Sequence, residues 1–141
     1  MNNAWLIAFA SMFALSYETS EAQTNKRPPF NPVKPEDQRA YTVQTVSVQV
    51  SCFPQALRDI LSHIATETHA IPLVTSGYRA HASRGGSMHR SCMAADIRVP
   101  GVSDRQVINA AESAPGIGGI GNYCNGIIHV DVGPKRRWTF C

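Results

Sequence analysis

The chain has 141 residues, of which 43% are hydrophobic and 16% charged, and its formal net charge is +3. These values fit one small globular domain with appendages and exclude a second catalytic domain. The mild basicity suits an anionic polymer as partner, whereas the densest basic cluster, residues 135–137, has no interleaved aromatic residues and is therefore predicted to be a solvated surface rather than a nucleic-acid site.

The N-terminal region has the pattern of an export signal. Residues 4–15 form an apolar run that is too short to span a bilayer comfortably, and residues 20–22 offer a cleavage site. We therefore predict a signal peptide over residues 1–22. Because residues 1–3 carry no Lys or Arg, an uncleaved anchor or a buried N-terminal helix stays open as an alternative.

After the signal, residues 23–40 are rich in proline and are predicted to form an extended linker, which leaves residues 41–141 as the folded domain. Within it, valines alternate with polar residues over 46–50, a pattern typical of a half-buried strand. Pro54 can begin a helix, and apolar residues at helical spacing predict an amphipathic helix to about Thr66. Residues 71–75 form a short apolar strand.

The second half of the domain contains another helix and two strands. Ser103 and Gln106 match a capping box, so we predict a helix from this point to the Pro-Gly pair at 115–116. Glycine-rich residues 117–121 lack the following helix and lysine of a nucleotide loop and are predicted to form a tight strand. The sum is an α+β fold, a small single domain with two principal helices and a mainly antiparallel sheet.

Two histidines and a carboxylate form the best candidate metal site. His89 and Asp96 are seven residues apart, with the histidine in a loop and the aspartate in the following strand. His129 and Asp131 share one face of a later, otherwise apolar strand, because side chains repeat every two residues. A catalytic zinc typically has three protein ligands, such as two imidazoles and one carboxylate, and a fourth position that stays open. The alternative is that each histidine is a hydrogen-bonded core residue.

Five ordered motifs and a tryptophan extend this pattern. They are SGYR at 76–79, GGSMH at 85–89, AADI at 94–97, GNY at 121–123, HVDVG at 129–133 and Trp138. Together they resemble the zinc D-Ala-D-Ala carboxypeptidase and murein endopeptidase family, peptidoglycan metallopeptidases that are also related to phage endolysins. The resemblance covers residues 53–138, and five motifs in one order are far more specific than any one alone.

The resemblance implies a role for each matching residue. The zinc ligands would be His89, Asp96 and His129, on the sheet. Substrate contacts would come from Arg79, Ser87 and Tyr123, with Arg79 also stabilising the oxyanion or holding the scissile carbonyl. Tyr123 could instead be a core aromatic residue, and Arg79 an ordinary salt-bridge partner.

Two positions depart from the family pattern. Cys92 stands where the family usually has glycine three residues after the first histidine, and Gly126 stands where many members carry an acidic general base. We therefore predict Asp131 as the general base, a catalytic residue together with Arg79. The competing role for Asp131 is orientation of His129 from outside the ligand set.

The chain has four cysteines, and an even number in a small exported domain favours disulfides over thiols. Three connectivities are possible. We favour Cys92 with Cys124, because both lie next to the site motifs, which leaves Cys52 with Cys141. A reduced cytosolic protein with four thiols is the alternative.

The predicted function is zinc-dependent hydrolysis of peptide bonds in peptidoglycan stem peptides or cross-links, by carboxypeptidase or endopeptidase action. The alternative is a non-catalytic module that binds cell-wall peptides through a degenerate metal site. We expect zinc as cofactor, peptidoglycan peptides as partners and a monomer in the periplasm or outside the cell. We expect neither nucleic-acid binding nor stable membrane insertion after signal cleavage.

Overall fold

The computed structural model describes residues 40–82 and 85–141, and the fold is that of these residues. The predicted signal peptide and all but the last residue of the predicted linker lie outside them, so both remain predictions. In the described part of the chain, no helix has the length and apolar character needed to span a bilayer.

The described residues form one mixed sheet with two α-helices and a short 3₁₀ helix. Its strand order is β1-β2-β3-β5-β4-β6. The strands are β1 (Thr42–Val43), β2 (Leu73–Ser76), β3 (Ala94–Arg98), β4 (Gly119–Asn122), β5 (Ile128–Asp131) and β6 (Arg136–Thr139). The helices are α1 (Gln55–Thr68), the 3₁₀ helix Met88–Ser91 and α2 (Asp104–Ser113).

The sheet corrects the prediction of a mainly antiparallel arrangement, although the α+β class and the two helices are confirmed. The inner pairs β2–β3, β3–β5 and β5–β4 are antiparallel, but both outer pairs, β1–β2 and β4–β6, are parallel. A parallel pair needs a connection that returns the chain to the same end of the sheet. Helix α1 supplies it between β1 and β2, and strand β5 does so between β4 and β6.

Both helices lie where the sequence predicts them. Helix α1 buries its apolar stripe completely, at Leu57, Ile60, Leu61 and Ile64. Full burial of each such side chain stabilises the fold by about 1.5–3 kcal/mol. Helix α2 packs against α1 and begins with the predicted capping box, in which the backbone N–H of Gln106 donates to Ser103 Oγ.

One strand prediction is wrong, and strands β1 and β6 were not predicted. Residues 46–50 form turns and bends rather than a strand, and Val46 is fully exposed. The backbone of this segment bonds to the loop after β2 instead of to a neighbouring strand, because the Gln49 carbonyl accepts a hydrogen bond from the Tyr78 N–H at 2.8 Å. Strand β6 was missed because its first two residues belong to the basic cluster that was predicted to be solvated.

The structure pairs Cys52 with Cys92 and Cys124 with Cys141, which confirms two disulfides but corrects the favoured connectivity. The register of β4 and β6 explains the second bond. Asn122 lies beside Thr139 in this parallel pair, and two residues further along both strands come the two cysteines, with Cα atoms 5.3 Å apart. Cys92 and Cys124 both lie near the site motifs in the sequence, but they do not pair with each other in the structure.

Candidate metal centre

Three buried side chains converge at one point above the sheet. Asp96 on β3 and His129 on β5 are register partners, so they lie side by side on one face. The 3₁₀ helix brings His89 against both. His129 Nδ1 is 2.9 Å from Asp96 Oδ1, and His89 Nε2 is 3.2 Å from each of these two atoms. One ligand atom from each residue lies within 4.8 Å of the others, which is close enough to hold one cation.

In each histidine ring, the nitrogen that points away from Asp96 (the outer nitrogen) determines the tautomer, and with it the state of the nitrogen that faces Asp96 (the inner nitrogen). His89 Nδ1 is 2.6 Å from the Gly77 carbonyl oxygen, and His129 Nε2 is 2.9 Å from Asp131 Oδ2. A carbonyl and a carboxylate can only accept, so both outer nitrogens must donate a proton. In neutral rings the lone pairs of His89 Nε2 and His129 Nδ1 then both face Asp96. This donor set fits a divalent cation.

The charges in this buried group depend on one another. Burial would raise the pKa of Asp96, but hydrogen bonds with His129 and His89 outweigh it and hold the pKa of this carboxyl well below its usual range. Burial would lower the pKa of His129, but its bonds to Asp131 and Asp96 raise it. Asp96 is therefore a carboxylate at neutral pH, and the group favours a positive charge between its members.

Asp131 lies behind His129, on the far side of the ring from Asp96, and is fully buried. Its Oδ1 accepts from the Gly119 N–H at 2.8 Å and the Gly133 N–H at 2.7 Å. Its Oδ2 accepts from His129 Nε2 and, at 2.7 Å, from the Arg136 guanidinium. Burial would raise its pKa, but the bonds to His129 and the two backbone N–H groups lower it. All four acceptor positions of this carboxylate are thus occupied.

A cleft of about 450 Å³ opens over His89 and His129. Its walls carry the predicted substrate residues and a second group from the C-terminal strand and the residue after it. The first group is Arg79, Ser87 and Tyr123, and the second is Arg136, Trp138 and Phe140.

Comparison with known proteins gives one decisive match. Residues 50–138 match the family described as peptidoglycan L,D-endopeptidase MepK, Peptidase_M15_2. The chain belongs to this family. The match covers most of the described domain and confirms the resemblance to peptidoglycan metallopeptidases. No curated protein and no solved structure gives a significant match.

Membership in the MepK family identifies the chain as a peptidase with peptidoglycan as its substrate, and peptidases of this group depend on a metal. The buried His89, Asp96 and His129 group could bind one. A peptidoglycan substrate and two disulfides also indicate an exported protein.

The structure brings the predicted substrate residues to the same cleft. Arg79 lies in the loop that follows β2. Its guanidinium is 3.4 Å from Asp96 Oδ2, and about half of its side chain is exposed. Ser87 directly precedes the 3₁₀ helix, and Tyr123 directly follows β4. Their roles toward a substrate, like those of the three ligands, stay predictions.

Sequence reasoning named Trp138 but missed the strand that carries it and the contribution of Arg136. Arg136 contacts Asp131 and lies 5.3 Å over the Trp138 ring, which in turn is 5.0 Å from the His129 ring. The available signal was the alternation of Arg136, Trp138 and Phe140 with outward-facing residues, which is typical of a strand with one face on a site.

Position 126 does not face the cleft. A Cβ on Gly126 would lie 2.7 Å from the Arg98 guanidinium, and this glycine has a φ of +79° that other residues rarely adopt. The position at which the resemblance implies an acidic general base is therefore a bend beside Arg98 in this chain.

Proposed function

We propose that this chain is an exported, zinc-dependent peptidoglycan endopeptidase that cleaves peptide cross-links at an L,D bond. The observation that carries the proposal is the convergence of His89 Nε2, Asp96 Oδ1 and His129 Nδ1 under an open cleft. The family description supports endopeptidase rather than carboxypeptidase action.

Zinc is the metal that this donor set favours, since two imidazole nitrogens and one carboxylate oxygen leave a fourth tetrahedral position open. When bound, such an ion polarises a substrate carbonyl and makes water a stronger nucleophile near neutral pH. The protein's part is to hold the three donors in place. Two of them come from adjacent central strands, and both histidine rings are fixed by a second hydrogen bond.

Arg79 is proposed to bind the scissile carbonyl and the negative charge that develops on its oxygen. Its guanidinium makes one 3.4 Å contact with Asp96 and remains half exposed, so further N–H groups can reach a substrate. Ser87, at the entrance of the 3₁₀ helix, is proposed to donate its hydroxyl proton to the substrate backbone or to a substrate carboxylate. Tyr123, which also lines the cleft, is proposed to border the bound peptide.

Of the two roles predicted for Asp131, we propose orientation of His129. A general base needs a free lone pair directed at the reacting water. The four contacts of Asp131 occupy both oxygens, and its burial keeps it from the cleft. The carboxylate instead fixes the His129 tautomer and increases the basicity of the inner nitrogen, and Arg136 balances its charge.

The test is product analysis on purified muropeptides. Zinc-loaded protein, incubated with cross-linked dimers that contain the L,D bond, is expected to release monomers with a new amine terminus, seen by mass spectrometry. Chelator-treated protein and the His129→Ala variant serve as controls and should leave the dimers intact.

Three results would contradict the proposal in different ways. Release of terminal D-Ala from uncross-linked peptides, with dimers left intact, would indicate a carboxypeptidase. Retention on insoluble sacculi by zinc-loaded protein without any new amine termini would indicate a binding module. Full cleavage after metal removal would exclude the metal from the reaction.

A further inference from the structure

The histidine of the 3₁₀ helix lies next to an unusual backbone position. Cys92 ends this helix with φ +59°, in the left-handed region that favours glycine. In this conformation its N–H points back to the His89 carbonyl at 3.3 Å, and the same carbonyl accepts from the Arg79 N–H at 3.1 Å. The main chain of His89 thus depends on the conformation of Cys92.

The ring of His89 is held through a second segment, residues 49–53. Its Gln49 carbonyl accepts from the Tyr78 N–H, and it packs so closely on Gly77 that a Cβ there would overlap the Gln49 carbonyl and lie 3.1 Å from the Phe53 ring. Gly77 in turn supplies the carbonyl that receives the His89 ring proton at 2.6 Å. Segment 49–53 therefore supports the acceptor of the ring.

The Cys52–Cys92 disulfide joins these two supports. Cys52 is exposed and lies in segment 49–53, whereas Cys92 is 7% exposed and belongs to the core. The backbone of His89 is consequently linked to segment 49–53 through Cys92 and the disulfide. The ring of His89 is linked to the same segment through Gly77. His89 is thus part of a closed loop of covalent and hydrogen bonds that runs through Gly77, segment 49–53 and Cys92.

We propose that the Cys52–Cys92 disulfide is a positioning element for the metal site. It holds Cys92 in the left-handed conformation and so keeps His89 Nε2 directed at Asp96 and His129. The inference rests on the proposed function, which makes His89 a metal ligand. It assigns a role to Cys92, which stands where the resemblance implies a glycine.

The second disulfide is a matched control. Cys124 also has a left-handed backbone, with φ +56°, but its bond to Cys141 joins the residues that follow β4 and β6 rather than the 3₁₀ helix and segment 49–53. Removal of this bond therefore tests the effect of losing a disulfide as such, without loosening His89.

The experiment compares zinc affinity, by competition with a chromophoric chelator, in folded protein. The Cys52→Ser/Cys92→Ser pair is expected to bind zinc about 10-fold or more weakly than wild type, the scale for losing an outer support of a ligand. The Cys124→Ser/Cys141→Ser pair should bind as wild type does. Equal affinity in all three proteins would overturn the proposal.

A third variant separates backbone conformation from cross-linking. Cys52→Ser/Cys92→Gly lacks the bridge but carries the residue that adopts a positive φ at no steric cost. It is expected to regain most of the zinc affinity that the serine pair loses. If the glycine pair binds zinc as weakly as the serine pair, the disulfide does not act through the conformation of position 92, and the proposal is wrong. Should the serine pair fail to fold, the Cys52→Ala/Cys92→Ala pair takes its place in both measurements, since alanine is likewise disfavoured at a positive φ.

Amide hydrogen exchange in metal-free protein distinguishes this inference from the proposed function. Residues 88–93 should exchange faster in the serine pair than in wild type or in the Cys124→Ser/Cys141→Ser control. This result would hold even if wild-type protein bound no zinc, an outcome that would refute the proposed function alone. Unchanged exchange over residues 88–93 would refute the positioning role alone.

Discussion

The two histidines of the candidate centre are held by different kinds of structure. His129 belongs to β5, which is paired on both sides, so the pleat of the sheet sets the direction of its side chain. His89 belongs to a four-residue 3₁₀ helix outside the sheet. The first histidine is placed by the central strands of the domain, whereas the second is held by hydrogen bonds to Gly77 and Arg79 outside the sheet.

This difference predicts how each ligand responds to change. A ligand on a central strand moves only if the sheet moves, and its outer partner Asp131 lies on the same strand two residues away. A residue on a short 3₁₀ helix can be displaced while the sheet stays intact, because 3₁₀ hydrogen bonds have poorer geometry than those of an α-helix. The variants below test whether the two sides of the site behave in this way.

The largest effect is expected from loss of a ligand. His89→Ala, Asp96→Ala and His129→Ala should each reduce zinc affinity by more than the roughly 10- to 100-fold that follows loss of an outer partner. Metal content after dialysis measures this. His63→Ala is the control, since this ring contacts Ser113 on α2 rather than the cleft. Full metal retention by any of the three variants would remove that residue from the ligand set.

The next effect concerns the stability of the two disulfide regions. The bridges span 40 and 17 residues, so the chain-entropy argument gives about 4 and about 3 kcal/mol for their removal. Urea unfolding of the Cys52→Ser/Cys92→Ser and Cys124→Ser/Cys141→Ser variants measures this loss. Since the two losses are similar, a difference in zinc affinity between the pairs has a local origin. A loss below about 1 kcal/mol for either pair would contradict the chain-entropy argument at that bridge.

The third prediction tests the strand side of the site. Asp131→Asn removes the negative charge and one of the two acceptor oxygens and puts an NH₂ group among donors, so His129 loses its charged outer partner. Zinc affinity should fall about 10- to 100-fold, while turnover at saturating zinc stays nearly intact. If turnover at saturation falls by about 10²-fold instead, Asp131 is the general base that the sequence predicted.

The smallest effect is expected on the other face of β6. Arg137 lies 3.4 Å from Glu112 on α2, and both side chains are about half exposed. Glu112→Gln should change the free energy of unfolding by less than about 1 kcal/mol and leave zinc affinity unaltered. A change in zinc affinity would mean that the two faces of this strand are coupled, contrary to the comparison above.

Local signals predicted those parts of the molecule that depend on neighbouring residues in the chain. The apolar spacing from Leu57 to Ile64 determines helix α1, and the Ser103 capping box determines where α2 begins. The shared face of His129 and Asp131 also follows from strand periodicity alone, and their 2.9 Å contact confirms it. Such features need no knowledge of distant contacts.

The parts that sequence reasoning missed depend on long-range register. Nothing local to residues 136–139 indicates that they pair with β4, and without that pairing the Cys124–Cys141 bond cannot be predicted. Residues 46–50 alternate like a strand, yet they form a turn because the Gln49 carbonyl and the close approach of Gly77 use their backbone. The burial of Asp131 likewise became visible only with Gly119, Gly133 and Arg136 around it.

The two outer strands of the described sheet have a consequence for the self-association of the chain. An unpaired sheet edge is a template on which another chain can add a strand. Here one edge strand has only two residues, and the other begins with two arginines, Arg136 and Arg137. A two-residue edge offers few main-chain groups to an added strand, and charged side chains on an edge strand also oppose the pairing of one copy with another, so strand addition at either edge of the described sheet is disfavoured.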